Sequence, residues 1–172
     1  EAKKIKPGNS NKNIYKIIKE NSLNLNEELK LKKYIEKKNL IYIATPFSFA
    51  AADWLNKNKI KIFKIGSGEC NNLPLIKHVS KFKKPMIVST GMNSIKSISK
   101  TVQVLNKEKI PHILLHCVNL YPVDYDLIRL NRILLLKKKF PKSLIGYSDH
   151  SIGNAIPIAA MGLGAKLVEK HF

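Results

Sequence analysis

The sequence lacks the motifs that mark several common kinds of site. Cys70 and Cys117 are its only cysteines, and they form no Cys-x-x-Cys pair. This argues against a structural zinc site or a disulfide framework and makes a cytoplasmic location the expectation. No Gly-x-Gly-x-x-Gly turn opens the first strand-like run and no Walker sequence occurs, which argues against a nucleotide site. No run approaches the ~18 apolar residues of a membrane span, so we expect no membrane partner.

Arginine is as scarce as cysteine, although the chain is strongly basic. The formal net charge is +19, with 31 Lys and Arg residues against 12 Asp and Glu, a balance often found in nucleic-acid-binding proteins. Yet Arg129 and Arg132 alone offer the planar fork that binds phosphate or guanine bidentately. The lysines are spread along helical stretches and do not interleave with aromatic residues. We therefore expect no nucleic-acid partner, but a basic surface that attracts anionic substrates.

Apolar, β-branched runs alternate with helical stretches from residue 40 onwards. The predicted strands are 40–44, 62–65, 86–89, 113–118, 144–147 and 166–169, and the predicted helices are 13–21, 26–38, 48–58, 73–81, 94–107, 126–139 and 154–163. Near-continuous apolar runs are typical of strands buried on both faces of a parallel sheet. A chain of 172 residues predicts one domain, and the repeated strand–helix unit predicts an α/β fold. Asn26 is the predicted N-cap of the second helix.

Lys64 stands inside the second predicted strand, which leads into the turn 66–69, Gly-Ser-Gly-Glu. A lysine buried in a strand is unfavourable unless an anion meets it. The two glycines let the backbone approach a ligand closely, and free N–H groups there suit an oxyanion. The residues predict a site for a phosphorylated or carboxylated small molecule. The alternative is a lysine at a strand edge with its ammonium in water, followed by an ordinary turn.

Polar side chains follow every predicted strand. Because parallel strands end at one rim, this pattern favours a (β/α) barrel, whose active sites lie at that rim, over a doubly wound sheet. Any one of these residues could instead be a helix N-cap or a turn residue. The segments in question are 45–48, 66–69, 89–92, 119–122, 148–150 and 171–172.

His150 and His171 end two consecutive predicted strands. Neighbouring parallel strands lie about 4.8 Å apart, so the two imidazoles could share one divalent ion, completed by water, Glu69 or substrate. The alternative for each is a hydrogen-bonded polar residue without a ligand. His116 lies inside a strand, where a core histidine is as good an interpretation as a functional one.

Taken together, six segments resemble the N-acetylneuraminate (sialic acid) synthase family, which includes the legionaminic and pseudaminic acid synthases. The segments are 45–48, 64–69, 89–93, 116–122, 146–150 and 169–172, with weaker support from 7–9 and 71–75. The resemblance covers almost the whole chain. It implies an enzyme that condenses phosphoenolpyruvate with an open-chain N-acetylated hexose of the N-acetylmannosamine type. The implied products are a nine-carbon 2-keto acid and phosphate, and the implied cofactor is a divalent metal, Mn²⁺ or Mg²⁺.

The resemblance also implies residue roles. Lys64 and Thr45 would hold the carboxylate of phosphoenolpyruvate. The phosphate ligands would be Ser67, Ser89, Asn119 and Ser148. Tyr121 and Glu69 would face the sugar and its reacting carbonyl. Together with Lys64 they would be the catalytic residues. His150 and His171 would be the metal ligands. Asp149 has no implied contact with the ligand and is expected to orient a neighbour.

The chain departs from the family pattern at both ends. Family members carry two further strands before this region, a last helix, and a C-terminal antifreeze-like domain that reaches the partner's site in a homodimer. We therefore expect residues 1–172 to form an incomplete barrel domain, a partial TIM barrel of about six parallel strands with flanking helices. Three alternatives remain: a synthase for a related acid or a 9-phosphate product, an inactive truncated remnant, and a basic nucleic-acid binder.

Overall fold

The computed structural model describes residues 3–6 and 10–171, which divide into two compact units, one up to Tyr42 and one from Ile43 onwards. The segment 7–9 and Phe172, both used in the family comparison above, lie outside the described residues. The organisation of residues 1–172 as a single domain stays a prediction.

The first unit contains the helices α1 (Ile14–Asn21) and α2 (Leu25–Lys37), and no residue of either is buried. Helix α2 begins with a capping box. The side chain of Asn24 accepts the Glu27 N–H at 3.0 Å, and the Glu27 carboxylate accepts the Asn24 N–H at 2.8 Å. The predicted cap at Asn26 is therefore wrong, because the reciprocal bonds satisfy two free donors only from position 24.

The second unit is a six-stranded parallel sheet with helices beside it. Its strands are β1 (Ile43–Ala44), β2 (Ile62–Ile65), β3 (Met86–Ser89), β4 (His112–Cys117), β5 (Leu144–Asp149) and β6 (Val168–Lys170). Its helices are α3 (Phe49–Lys57), α4 (Leu73–Ser80), α5 (Ile95–Lys107), α6 (Asn131–Lys139) and α7 (Ala155–Gly162). The strands lie side by side in chain order, and the sheet curls into half of a barrel. The predicted α/β fold, a partial TIM barrel of six parallel strands, is confirmed.

The strands are buried where the sequence is continuously apolar. Phe63, Ile65, Val88, Leu114 and Leu115 are fully covered, as expected for a sheet with side chains packed on both faces. Strand register then aligns the rim: Cys117 pairs with Ser148, and Ser148 pairs with Glu169.

Most predicted elements are shifted by one or two residues at an end, for example 144–147 and 166–169, which are observed as Leu144–Asp149 and Val168–Lys170. Two differ more. The run 40–44 pairs with the sheet only at Ile43 and Ala44, because the Leu40 N–H instead closes the end of α2 by bonding to the Ile35 carbonyl. The predicted helix 126–139 is a 3₁₀ turn, Tyr125–Leu127, followed by α6. Arg129 separates them with a left-handed φ of 52°, which a continuous α-helix cannot contain.

Among the described residues the longest helices have 13 residues, and none has the length and apolar character needed to cross a bilayer.

Candidate active site

The carboxyl ends of the strands surround a cavity of about 210 Å³. Its walls contain every predicted substrate and metal residue except Glu69, namely Thr45, Lys64, Ser67, Ser89, Asn119, Tyr121, Ser148, His150 and His171. Gly66, Cys117 and Glu169 complete the lining. The curled sheet thus brings together residues that lie up to 126 positions apart in the sequence, and their individual roles stay predictions.

Lys64 is held inside this cavity. Its side chain is 12% exposed, and its ammonium donates to the Ser89 hydroxyl at 2.7 Å and lies 3.4 Å from the Glu169 carboxylate. The alternative of a strand-edge lysine in open water therefore does not describe this residue. A charge in such a buried position needs a counter-ion. Glu169 is that counter-ion here, and an anionic ligand could take its place.

Glu169 is the site residue that sequence reasoning missed. Its carboxylate accepts the Ser148 hydroxyl at 2.6 Å and faces Lys64 from the opposite edge of the curled sheet. The signal was present, because alternation along a strand puts residues 169 and 171 on the same face, and His171 was already a candidate ligand.

The predicted catalytic Glu69 does not line the cavity. It ends the 3₁₀ turn Ser67–Glu69, and its half-buried carboxylate accepts a hydrogen bond from the Asn72 amide at 2.6 Å. Asn72, the N-cap of α4, thus gives this carboxylate a local partner, while the carboxylate that lines the cavity is Glu169 of β6.

Ser67 is fixed by three contacts rather than standing free. Its hydroxyl accepts the Gly91 N–H at 3.1 Å and lies 3.0 Å from the Cys117 sulfur, and Asn93 donates to its carbonyl at 2.8 Å. Gly91 makes this packing possible. A Cβ there would stand 1.9 Å from the Asn119 side-chain oxygen and 2.7 Å from the Cys117 sulfur, so a glycine is required by close approach.

His150 and His171 meet edge to face with ring centroids 4.5 Å apart, and Tyr121 stacks on His150 at 4.0 Å. The Nδ1 of His150 lies 2.5 Å from the Val118 carbonyl, which requires Nδ1 to carry the proton. The Nε2 of the neutral ring is then unprotonated, and it lies 3.4 Å from the Ser148 hydroxyl. Burial, with the neighbouring His171, holds the pKa of His150 below its ordinary value. The ring is therefore neutral at neutral pH.

These features fit the predicted metal pair in their chemistry. A ligating histidine commonly donates its other N–H to a backbone carbonyl, as His150 does, and the Nε2 of His171 lies 4.0 Å from the Glu169 carboxylate. Within residues 3–6 and 10–171, no three His, Cys, Asp or Glu side chains are grouped closely enough to hold an ion. Two imidazoles would therefore need water or substrate oxygen to complete a coordination shell.

Asp149 is fully buried beside this pair and does not line the cavity. It accepts hydrogen bonds from the Ser151 hydroxyl at 2.7 Å and the Lys170 ammonium at 2.5 Å. Burial acts to raise the pKa of Asp149, but the bonds from Lys170 and Ser151 outweigh it, and the pKa lies below its ordinary value. The carboxylate ties β5 to β6 next to His150, and its orienting role stays a prediction.

A parallel half-barrel with a polar cavity at the carboxyl ends of its strands is the architecture of the TIM-barrel class. A truncated 3-deoxy-D-arabino-heptulosonate 7-phosphate synthase from Thermotoga maritima shares this fold at 15% identity and a TM-score of 0.69, over 87% of this chain and 60% of that one. The sequence matches the NeuB family over residues 1–172, and the chain belongs to that family.

Individual relatives agree with this assignment. The chain is 40% identical to the N,N'-diacetyllegionaminic acid synthase of Campylobacter jejuni, over 91% of its own length and 47% of the relative's. It is 33% identical to the N-acetylneuraminate-9-phosphate synthase of Homo sapiens, over 82% and 39%. A crystal structure of N-acetylneuraminic acid (sialic acid) synthetase from Leptospira borgpetersenii, in complex with citrate, matches with a TM-score of 0.89 and 36% identity, over 96% and 57%. The chain spans about half the length of the curated relatives it matches.

The substitution Gly91→Ala should disturb the cavity from the backbone. A new Cβ would overlap the Asn119 oxygen and the Cys117 sulfur, and overpacking of this kind costs about 1–3 kcal/mol. Urea unfolding should show that loss in the free energy of unfolding. Gly68→Ala is the matched control, because a Cβ at Gly68 meets nothing within 4 Å. Equal stability of the two variants would contradict the close approach at Gly91.

Proposed function

We propose that the chain carries the condensing site of a sialic-acid-type synthase. The reaction joins phosphoenolpyruvate to an open-chain N-acetylated hexose of the N-acetylmannosamine type, giving a nine-carbon 2-keto sugar acid and phosphate. The observation that carries the proposal is the single cavity in which a lysine, five hydroxyl groups, an amide and a histidine pair meet. Membership of the NeuB family and the names of its relatives support the class of reaction.

Phosphoenolpyruvate has two anionic groups, and the cavity offers donors for both. In the proposal Lys64 and Thr45 hold the carboxylate, which takes the place that Glu169 has beside the ammonium at 3.4 Å. The phosphate is held by Ser67, Ser89, Asn119 and Ser148. Donors fixed in advance position the reacting atoms and stabilise charge without reorganisation.

The acceptor sugar would enter on the histidine side of the cavity. Burial, with the nearby Cys117 and Glu169, raises the pKa of Tyr121, so its phenol stays protonated and can donate to a sugar oxygen. A Mn²⁺ or Mg²⁺ ion held by His150 and His171 would supply Lewis-acid polarisation of the sugar's aldehyde oxygen. Glu69 was predicted as a catalytic residue facing the reacting carbonyl. For proton transfer the contacts favour Glu169, the carboxylate in the cavity wall.

The bond changes follow from this arrangement. C3 of phosphoenolpyruvate forms a carbon–carbon bond to the aldehyde carbon, whose oxygen gains a proton and becomes a hydroxyl. A water oxygen adds to C2 and loses a proton. The tetrahedral C2 then expels phosphate by cleavage of its C–O bond, and the proton of the new C2 hydroxyl goes to the departing phosphate, leaving the 2-keto acid. In this proposal Glu169 accepts the proton from water, and Lys64 keeps the carboxylate in line.

The particular product remains open within this class. Relatives are named for legionaminic acid, pseudaminic acid and N-acetylneuraminate 9-phosphate, and any of these acids would use the same condensation. A homodimer of the whole protein and a cytoplasmic location belong to the same proposal. The absence of a nucleic-acid partner stays a prediction, and an inactive remnant is the alternative that the first experiment addresses.

Phosphate release from phosphoenolpyruvate, with Mn²⁺ and either N-acetylmannosamine or N-acetylmannosamine 6-phosphate as the acceptor sugar, tests the proposed function. Release that requires both the sugar and the metal is the expected result. Omission of each component in turn gives the controls, and circular dichroism verifies that the chain is folded. A folded chain that releases no phosphate with any of the acceptor sugars would contradict catalysis by this chain and favour the remnant.

Lys64→Ala should weaken phosphoenolpyruvate binding. Hydrogen bonds to charged groups contribute about 1.5–3 kcal/mol, so its dissociation constant should rise roughly 10- to 100-fold. Calorimetric titration measures this change directly. Lys61→Ala is the control, because Lys61 precedes the same strand and is exposed. An unchanged constant in Lys64→Ala would remove the lysine from the anion site.

His150→Ala should abolish the metal-dependent release of phosphate. Loss of an outer partner of a metal ligand costs roughly 10-fold or more in affinity, and loss of the ligand itself should cost more. Mn²⁺ binding followed by electron paramagnetic resonance gives a readout besides turnover. His78→Ala serves as the comparison, since His78 pairs with Asp53 outside the cavity. Undiminished Mn²⁺ binding by His150→Ala would show that the pair is not the metal site.

A further inference from the structure

A second, larger cavity of about 640 Å³ lies beside the first. It is bounded by the loop after β3, the end of β4 and the start of α6, with the lining residues 90–94, 116–120, Arg129 and Arg132. Cys117 and Asn119 line both cavities, so the two share a wall. We call this second cavity the arginine cavity.

Both arginines of the chain stand at this cavity. The other basic residues among the 31 are all lysine, so the arginine side chain is used here and nowhere else in the sequence. Arg132 lies in the first turn of α6. Arg129 lies three positions before it and forms the break ahead of the helix, with a left-handed φ of 52°. Both residues line the same cavity, so their guanidinium groups are placed to act on one ligand.

The positive charge of the arginine cavity has no counter-charge in its walls. No carboxylate is among the lining residues, and the ion pairs found within the described part of the chain include neither arginine. Burial lowers the pKa of His116, with Arg132 adding to the effect, and its Nε2 is bonded to the Ile128 carbonyl at 2.7 Å. His116 is thus a neutral lining residue whose Nε2 already has a hydrogen-bond partner. The two arginines therefore give the cavity its positive electrostatic potential.

The shared wall links the arginine cavity to the proposed reaction. In the proposed function, Asn119 holds the phosphate of phosphoenolpyruvate from one side of that wall. A ligand seated with one end near Tyr121 and His150 and the other near the arginines would pass along residues 117–120. Guanidinium groups bind phosphate bidentately, with a planar fork of donors that an ammonium lacks.

We propose that the arginine cavity binds a phosphoryl group carried by the acceptor, so that this chain's acceptor is a phosphorylated N-acetylated hexose. The assignment of the acceptor rests on the proposed function, whereas phosphoryl binding by the two arginines does not. The acceptor then has two anchors, its aldehyde end at the histidine pair and its phosphoryl end at Arg129 and Arg132.

Binding without turnover tests this proposal. In metal-free buffer with a chelator, saturating phosphoenolpyruvate fills the first cavity, and the chain is titrated with N-acetylmannosamine 6-phosphate, N-acetylmannosamine and inorganic phosphate. Arg129→Gln/Arg132→Gln removes both forks. Lys138→Gln/Lys139→Gln is the matched control, because it removes two charges from exposed positions of the same helix.

We expect the sugar phosphate to bind more tightly than either the neutral sugar or inorganic phosphate. Its affinity should fall at least about tenfold in the arginine variant and stay unchanged in the lysine control. Arg129→Lys/Arg132→Lys keeps the charge without the planar fork, so its affinity for the sugar phosphate should lie between those of the glutamine variant and the lysine control. If circular dichroism shows that the glutamine variant is unfolded, the affinity of this lysine-for-arginine variant is the test.

Two results would overturn the proposal. Equal affinity for the sugar phosphate in the arginine variant and the unaltered chain would remove the phosphoryl site. Arginine-dependent binding of inorganic phosphate as tight as that of the sugar phosphate would assign the cavity to the free anion and not to the acceptor. Failure of phosphoenolpyruvate itself to bind, measured in a separate titration, would count against the synthase and leave the arginine result to stand.

Discussion

The ion pair between Lys64 and Glu169 is the constraint around which the cavity is arranged. A buried ammonium in a parallel strand is costly unless a counter-charge reaches it, and here that charge comes from β6, four strands away in the sheet. The pair can form only if the sheet curls, and the Ser148 hydroxyl joins it from β5. The same contact prepares an anion site, because a ligand carboxylate can take the place of Glu169 beside the ammonium.

The remaining site geometry depends on close packing at the carboxyl ends of β3 and β4. Gly91 lets Asn119 and the Cys117 sulfur approach the backbone, and its N–H fixes the Ser67 hydroxyl. Cys117 and Asn119 are also the wall shared with the arginine cavity. One short segment therefore shapes both cavities, so a ligand that extends from one into the other would contact the same two side chains throughout.

Much of the fold was predictable, because strand and rim signals are local. The runs 62–65 and 86–89 are strands with those bounds, and the polar residues after each strand gather at one cavity. The errors come from competition between neighbouring segments. Leu40 bonds back to α2 instead of joining the sheet, and Arg129 adopts a left-handed conformation that no helix periodicity reveals.

The order of strands and helices, the residue types at the rim and the candidate metal histidines could all be read from the chain, since each depends on neighbours within a few positions. Which carboxylate enters the cavity could not. Glu69 and Glu169 both follow the pattern of a rim residue, but Glu69 is satisfied within its own turn by Asn72, while Glu169 meets Lys64 across the curled sheet. The arginine cavity is of the same kind, because the loop after β3, the end of β4 and the start of α6 meet there, and no local pattern connects the three.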